Sequence, residues 1–385
     1  MIVHVVPNHR FVGSFPGRFE AAFPNDNLWF VIDNSDAPVC ADSKLVRNIA
    51  KDAFWTQFRK HLSSQADLVC VHCLDGDNTR IALELVDEGY KVLPFLWAGE
   101  YTSLLSENPL QPYLPRTKGY VLGRQTIAKS LYYRLLDVSG GRLAWVKASL
   151  SGENKLKLQQ LRLLNEVSHF VSPVKEEAEI IIRKNSLSSQ FLRVQYSWLD
   201  EEVFDFRSAA GASQGEIQVG HSGWAMNNHL DVFDLLSRER LKSRSVVCTL
   251  AYGDPHYLKF IEREGRARFT NEFRAVKDFV PRSEYFKGMQ DVSAYIAAQR
   301  NQFGLGNVKN LIAMGKRVVM PRENPMFSNL KSLGVELSDL RDDSFSLEPL
   351  SATVAQSNQE IAAHHWGRDY VIRESQDSFQ VAITS

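Results

Sequence analysis

The chain has 385 residues, 44% hydrophobic and 23% charged, with Lys+Arg and Asp+Glu both at 45. That length accommodates two domains with separate cores, and the balanced charge gives no bulk attraction to nucleic acid or to an anionic membrane. No low-complexity tract interrupts the sequence, and no run approaches the ~20 apolar residues needed to span a bilayer.

Met1-Ile2-Val3-His4-Val5-Val6 reads as a strand, without the basic start and long apolar core of a secretory signal. Further short apolar runs at Leu28 to Ile32, Leu68 to His72, Lys91 to Trp97, Arg142 to Trp145 and His169 to Val171 read as strands. Helical stretches separate them at Ser43 to Ser63, Asn78 to Glu88, Arg124 to Leu136 and Leu156 to Val167. This alternation predicts a parallel sheet covered on both faces, one doubly wound domain over residues 1–207.

The Gly/Ser/Ala-rich stretch from Ser208 to Gly215 has the composition of a linker. After it come strands at Glu216 to Val219, Ser245 to Leu250, Arg266 to Thr270, Val276 to Phe279 and Val292 to Ala298. Helices are read at Asn228 to Leu236, His256 to Glu264 and Ser283 to Gln290. They make a second α/β domain over residues 208–349, and a last helix within 350–375 is expected to pack back on the first. Cys40, Cys70, Cys73 and Cys248 are read as reduced thiols of a cytosolic protein, without redox or metal-finger spacing.

The functional signal is strongest at Asn301-Gln302-Phe303-Gly304-Leu305-Gly306-Asn307, which leads into a helix from Val308 to Met314 and a short strand ending at Met320. A glycine loop opening a helix presents unpaired N–H groups and the positive end of the helix dipole, with no Cβ to hold a ligand away. Glu323 follows by one helix and one strand, where a carboxylate can accept hydrogen bonds from ribose hydroxyls. The alternative is an ordinary turn with Glu323 solvated.

Four stretches in order resemble one family. They are Val219-Gly220-His221-Ser222-Gly223 with Asn227-Asn228-His229, then Tyr252-Gly253-Asp254-Pro255, Gln302-Phe303-Gly304-Leu305-Gly306-Asn307, and Arg322-Glu323-Asn324-Pro325. They look like the V-G-N-S-G-D, Y-G, Q-Q-G-I-G-T and N-R-E-N-P motifs of the TDP-N-acetylfucosamine:lipid II N-acetylfucosaminyltransferase family. Val71-His72 and Phe95 to Glu100 resemble its amino-terminal F-H-G and F-W-H-x-W-G-x-D motifs more faintly. His221 stands where the family has Asn, Asn307 where it has Thr, and Glu100 in place of an Asp.

The resemblance implies a GT-B glycosyltransferase: two Rossmann-like domains facing across a cleft, with the nucleotide sugar held by the second. It also implies no metal, no cofactor, and a glycan or lipid-linked glycan acceptor on a bacterial surface pathway. A deoxy or amino-deoxy hexose on thymidine diphosphate would be the donor. A cytosolic protein of this kind would meet a lipid-linked acceptor from the inner face of the membrane, and the basic and aromatic segment Tyr120 to Arg134 suits that contact or a solvated helix.

Metal-free transfer needs preorganised dipoles on the departing diphosphate. The residues placed to bind the nucleotide are Gly304, Leu305, Gly306 and Asn307, then Gly220, His221, Ser222 and Gly223, with Tyr252, Gly253 and Phe279 for the base and Glu323 for the ribose. Glu100 is the candidate general base on the acceptor, or a helix-start glutamate; His72 is a candidate catalytic residue or a core histidine. Inversion requires a base, whereas retention lets the leaving phosphate take the proton. An epimerase of the same two-domain shape and a non-catalytic nucleotide-sugar-binding subunit are the competing readings. A dehydrogenase is disfavoured, because Pro7-Asn8-His9-Arg10 rather than G-x-G-x-x-G follows the first strand.

Overall fold

The computed structural model describes residues 1–9, 12–33, 46–61, 66–105, 108–138, 155–199, 215–239, 241, 244–342 and 346–385. The expected strand at Arg142 to Trp145 and the linker around Ser208 lie outside these residues. The chain forms two compact units. One comprises Met1–Leu105, Trp145–Trp198 and Arg368–Ser385; the other comprises Ser106–Ala144 and Leu199–Gly367.

In the first unit β1 (Ile2–Pro7), β2 (Asn27–Asp33), β3 (Val46–Ala50), β4 (Leu68–His72), β5 (Val92–Phe95), β6 (His169–Val171) and β7 (Gln190–Leu192) form one sheet in the order β3-β2-β1-β4-β5-β6-β7. Every described pairing in it is parallel. The apolar runs are continuous because the sheet is covered on both faces. Val3, Val5, Val69 and Val71 join one core with Phe54, Phe58, Ile81 and Leu164, while Ile2, Val6, Leu68 and Cys70 join another with Phe15, Phe19 and Phe379. Phe379 belongs to the helix Arg368–Thr384, which packs here.

In the second unit β8 (Glu216–Val219), β9 (Val246–Thr249), β10 (Phe273–Val276), β11 (Val292–Ile296), β12 (Arg317–Met320) and β13 (Ser338–Asp339) run parallel in the order β10-β9-β8-β11-β12-β13. Renumbered from one, that is the doubly wound order 3-2-1-4-5-6, whose direction reverses between β8 and β11. Ligand crevices of such sheets open at the carboxyl ends of the two strands at that reversal. The helix Pro115–Gly123 also belongs to this unit. It is tied to the helix His229–Leu236 by Asp231, whose carboxylate accepts from the N–H of Arg116 at 2.8 Å and of Thr117 at 2.9 Å.

Four expectations need correction. Residues Val46 to Ala50 form strand β3 instead of opening a helix, because β2 offers them a parallel edge and Val46 and Ile49 bury on it; the helix is Phe54–His61. The stretch Arg266 to Thr270 continues the helix Pro255–Phe269, where Tyr257, Ile261, Gly265 and Phe269 bury at a four-residue spacing that outweighs the local alternation. The next strand begins at Phe273, whose ring fills the space over Gly265, so Phe279 lies beyond it. Finally, Gly367 divides the long carboxyl-terminal helix into Ala352–Trp366 and Arg368–Thr384, and the first of these lies in the second unit.

Candidate nucleotide site

Because every strand of the second sheet runs the same way, the loops after β8, β9, β10, β11 and β12 all leave one edge. The nucleotide residues expected from sequence fall on these five loops. Gly304, after β11, is the N-cap of the helix Leu305–Ala313 and has φ 69°. The first helical amide to find its acceptor is that of Val308, on the Gly304 carbonyl at 3.1 Å, and no side chain caps the helix. The N–H groups of Leu305, Gly306 and Asn307 therefore end the helix unbonded to its backbone, at the positive pole of its dipole. A Cβ added at Gly306 would meet nothing within 4 Å.

The loop after β8 closes over this helix start, with the His221 ring against Gly304. A Cβ at Gly304 would come within 2.6 Å of His221 Nδ1. Gln299 Nε2 donates to that nitrogen at 3.1 Å and to Asn227 Oδ1 at 2.6 Å. With Nδ1 accepting, the ring proton resides on Nε2. Burial lowers the His221 pKa to about 4, so the ring is neutral near pH 7 and serves as a hydrogen-bond donor.

The rest of this loop is satisfied internally. The Gly220 amide donates to the Ile296 carbonyl at 3.0 Å, that of His221 to Asn227 Oδ1 at 3.2 Å, and that of Gly223 to the Tyr252 carbonyl at 2.7 Å. Asn227 Nδ2 in turn bonds the carbonyl and hydroxyl of the fully buried Ser222, each at 3.0 Å. Gly223, expected from the sequence to bind the nucleotide, therefore has its amide already engaged and offers no free N–H to a phosphate. Glycine is needed at 223 and 253 for packing: the two backbones pair directly and a Cβ at Gly253, with φ 142°, would enter Gly223 at 2.3 Å, while a Cβ at Gly223 would meet Leu258 Cδ2 at 1.9 Å. Tyr252 and Gly253 are joined to the loop after β8 in this way. Phe279 is 64% exposed beyond β10, three strands removed from β11.

Glu323 lies in the loop after β12 and forms an ion pair with Arg341. Its neighbour Asn324 fixes that loop. Asn324 Oδ1 caps the helix Pro325–Ser332 by accepting from Met326 N–H at 2.9 Å, and its Nδ2 donates to the carbonyls of Gln299 at 2.9 Å and Asn301 at 3.0 Å. One buried amide therefore ties the acid's loop to the loop that opens the helix. Gln299 was passed over in the sequence because an amide next to an apolar run carries no chemical signature until its partners are known. Trp224 was passed over too; it is 48% exposed directly after Gly223.

In the first unit Glu100 is the third residue of the helix Ala98–Leu105. Its Oε2 accepts from Trp97 N–H at 2.9 Å, the return half of a capping box, and its Oε1 accepts from Cys73 Sγ at 3.2 Å. It is 6% exposed, and burial raises its pKa. His72 has no exposed surface. Its Nε2 meets His4 Nδ1 at 3.0 Å and its ring stacks on Phe95 at 4.2 Å, which makes it part of the aromatic core at the end of β4. Burial and the neighbouring His4 hold its pKa well below normal. Cys70 and Cys73 do stand in a C-x-x-C spacing, yet both are free: Cys70 buries in β4, while Cys73 turns away at φ 62° toward Glu100. Among the described residues no group of three or more His, Cys, Asp or Glu could hold a metal ion, and no helix is long and apolar enough to cross a membrane.

No family model and no curated protein matches this chain. Solved structures do. A glycosyltransferase from Rickettsia africae aligns with TM-score 0.61 at 10% identity over 100% of this chain and 98% of its own. HepE from Anabaena in complex with UDP-glucose aligns with TM-score 0.57 at 12% identity, over 99% of this chain and 100% of its own. The chain has the GT-B fold. A sucrose-phosphate synthase from Thermosynechococcus elongatus, at 11% identity and TM-score 0.55 over 100% of this chain and 95% of its own, has the same architecture. At such identities the GT-B likeness is one of backbone, and the chemistry must be argued from this chain's own side chains.

Proposed function

We propose that this GT-B chain is a glycosyltransferase that takes its sugar from a pyrimidine nucleoside diphosphate seated on the second unit. The observation that carries the reading is the uncapped helix start at Leu305, Gly306 and Asn307, lying at the strand-order reversal with His221 beside it and Glu323 one helix and one strand further on. Oriented amides at a helix N-terminus stabilise a diphosphate in the ground state, and more so as it departs and charge accumulates on it. The neutral His221 adds a donor without a competing counter-ion. Glu323 accepts from the ribose hydroxyls while Arg341 keeps its carboxylate oriented.

The first unit would receive the acceptor. There Glu100 acts as the base on the acceptor hydroxyl, its raised pKa suiting it to take up a proton near neutrality. Its capping bonds hold the carboxylate in place. His72 is proposed as packing beneath this site, since it is sealed in the core.

Uridine as the nucleoside is supported by the neighbour bound with UDP-glucose. Thymidine diphosphate carrying a deoxy or amino-deoxy hexose, with a surface-glycan or lipid-linked acceptor, is supported by the motif series from Val219 to Pro325. A thermal-shift panel of UDP, TDP, GDP and ADP tests the donor class, because a ligand bound only by the folded chain raises its melting temperature. UDP or TDP should shift the midpoint and ADP should not. Slow hydrolysis of a bound nucleotide sugar then separates a transferase from a binding subunit, and conversion of the sugar without any acceptor would indicate an epimerase.

A further inference from the structure

Asn227, Gln299 and His221 form a chain of side chains in which each hydrogen-bond role is forced by the one before. Asn227 Nδ2 meets the carbonyls of Ser222 at 3.0 Å and Trp224 at 3.2 Å, and carbonyls only accept, so the amide nitrogen must face them. Its Oδ1 then points the other way, where it accepts from the His221 N–H at 3.2 Å and from Gln299 Nε2 at 2.6 Å. An oxygen that only accepts requires the nitrogen of Gln299. That same Nε2 lies 3.1 Å from His221 Nδ1, which is left as an acceptor.

The chain is held so that neither amide can turn over. Gln299 and Ser222 have no exposed surface, and Asn227 has 1%. The backbone at Gln299 is fixed on both sides: Asn228 Nδ2 donates to the Ala298 carbonyl at 2.8 Å, and Asn324 Nδ2 to that of Gln299 at 2.9 Å. His221, with its ring against Gly304, keeps part of its surface open. A second ring proton would have to sit on Nδ1, against the hydrogens of the Gln299 amide, with no acceptor for either. His229, a titratable neighbour of the ring, is itself held neutral by burial and brings no charge to it. We propose that Gln299 is the positioning residue of this site: acting through His221, it reserves the ring as an Nε2–H donor, bars a second proton from Nδ1, and so sets affinity for a diphosphate but not for a nucleoside. The inference rests on the reading of His221 as a phosphate donor and adds what makes it one.

The test needs no acceptor. The ring nitrogens of His221, assigned with His221→Ala, are followed by heteronuclear NMR in the nucleotide-free chain. In the parent, Nδ1 should show the shift of a bare nitrogen and Nε2 that of an N–H. In Gln299→Met, which keeps the bulk and donates nothing, protonation of the ring should move to higher pH, because Nδ1 is freed to take a proton. Gln299→Glu, whose carboxylate only accepts, should move it further. In calorimetry Gln299→Met should bind UDP roughly tenfold more weakly and uridine as the parent does. A proton on Nδ1 of the neutral parent ring, a ring midpoint that neither variant moves, or UDP binding that Gln299→Met leaves unchanged overturns the proposal. Equal losses of UDP and uridine overturn it also, since a merely structural amide would weaken both. A parent that binds neither UDP nor TDP while its ring behaves as expected would instead remove the nucleotide reading, and with it the affinity half of the proposal, leaving the ring assignment in place.

Discussion

Substituting Gly304 by Ala separates two effects that the structure superimposes. At φ 69° an alanine pays for a left-handed backbone, about 1–2 kcal/mol. Its Cβ would also lie 2.6 Å from His221 Nδ1 and 2.9 Å from Cε1, closer than carbon ever approaches. The ring must therefore shift, and the bond from Gln299 is lost, for about 1 kcal/mol more. A total near 2–3 kcal/mol should appear in urea denaturation. In a His221→Ala background the ring is gone and only the backbone cost remains, so the same substitution should destabilise by about 1–2 kcal/mol. Equal losses in both backgrounds would refute the contact, and no loss in either would refute the loop geometry altogether.

Other outcomes follow from the same structure. Glu323→Ala should weaken UDP or TDP binding by about ten- to a hundredfold in calorimetry, the loss of hydrogen bonds to a charged acceptor; unchanged affinity removes the ribose assignment. Glu100→Gln keeps the capping geometry, since glutamine also completes a capping box, and should abolish transfer while leaving melting and nucleotide binding intact. Asn228→Ala deletes a buried amide that bonds Leu114 N–H at 2.8 Å and the carbonyls of Pro112, Met226 and Ala298, and should cost about 3 kcal/mol in chemical denaturation. His229 is fully buried and its pKa is lowered from 6.5 to about 3, chiefly by burial. Below pH 6.5 the unfolded chain takes up a proton that the folded chain refuses, so stability should fall as pH drops from 6.5 toward 3. His4, His72 and His221 are held low by burial and act in the same sense, so His229→Gln should make that slope shallower without removing it in melts taken across the window.

The sheets were legible because parallel strands buried on both faces leave unbroken apolar runs, and Ile2 to Val6 or Val292 to Ile296 allow no other reading. Edges were harder. Val46 to Ala50 is short and half-exposed, and only the neighbouring β2 decides that it extends. Arg266 to Phe269 alternates like a strand, and its helical state follows from Phe269 packing on Phe233 at 5.4 Å, a contact between residues far apart in sequence.

The glycine loop and its acid could be read locally, since both follow from backbone conformation and chain order. What the sequence withheld was the use of each amide. That Gly223 spends its N–H on Tyr252, while Gln299 and Asn324 bind the loops together, depends on which strand ends become neighbours.

The most direct test is a crystal structure of the chain soaked with UDP or TDP. The diphosphate should rest on the amides of Leu305, Gly306 and Asn307 next to His221 Nε2, with the ribose on Glu323. Density for the nucleotide anywhere other than this helix start would contradict the account.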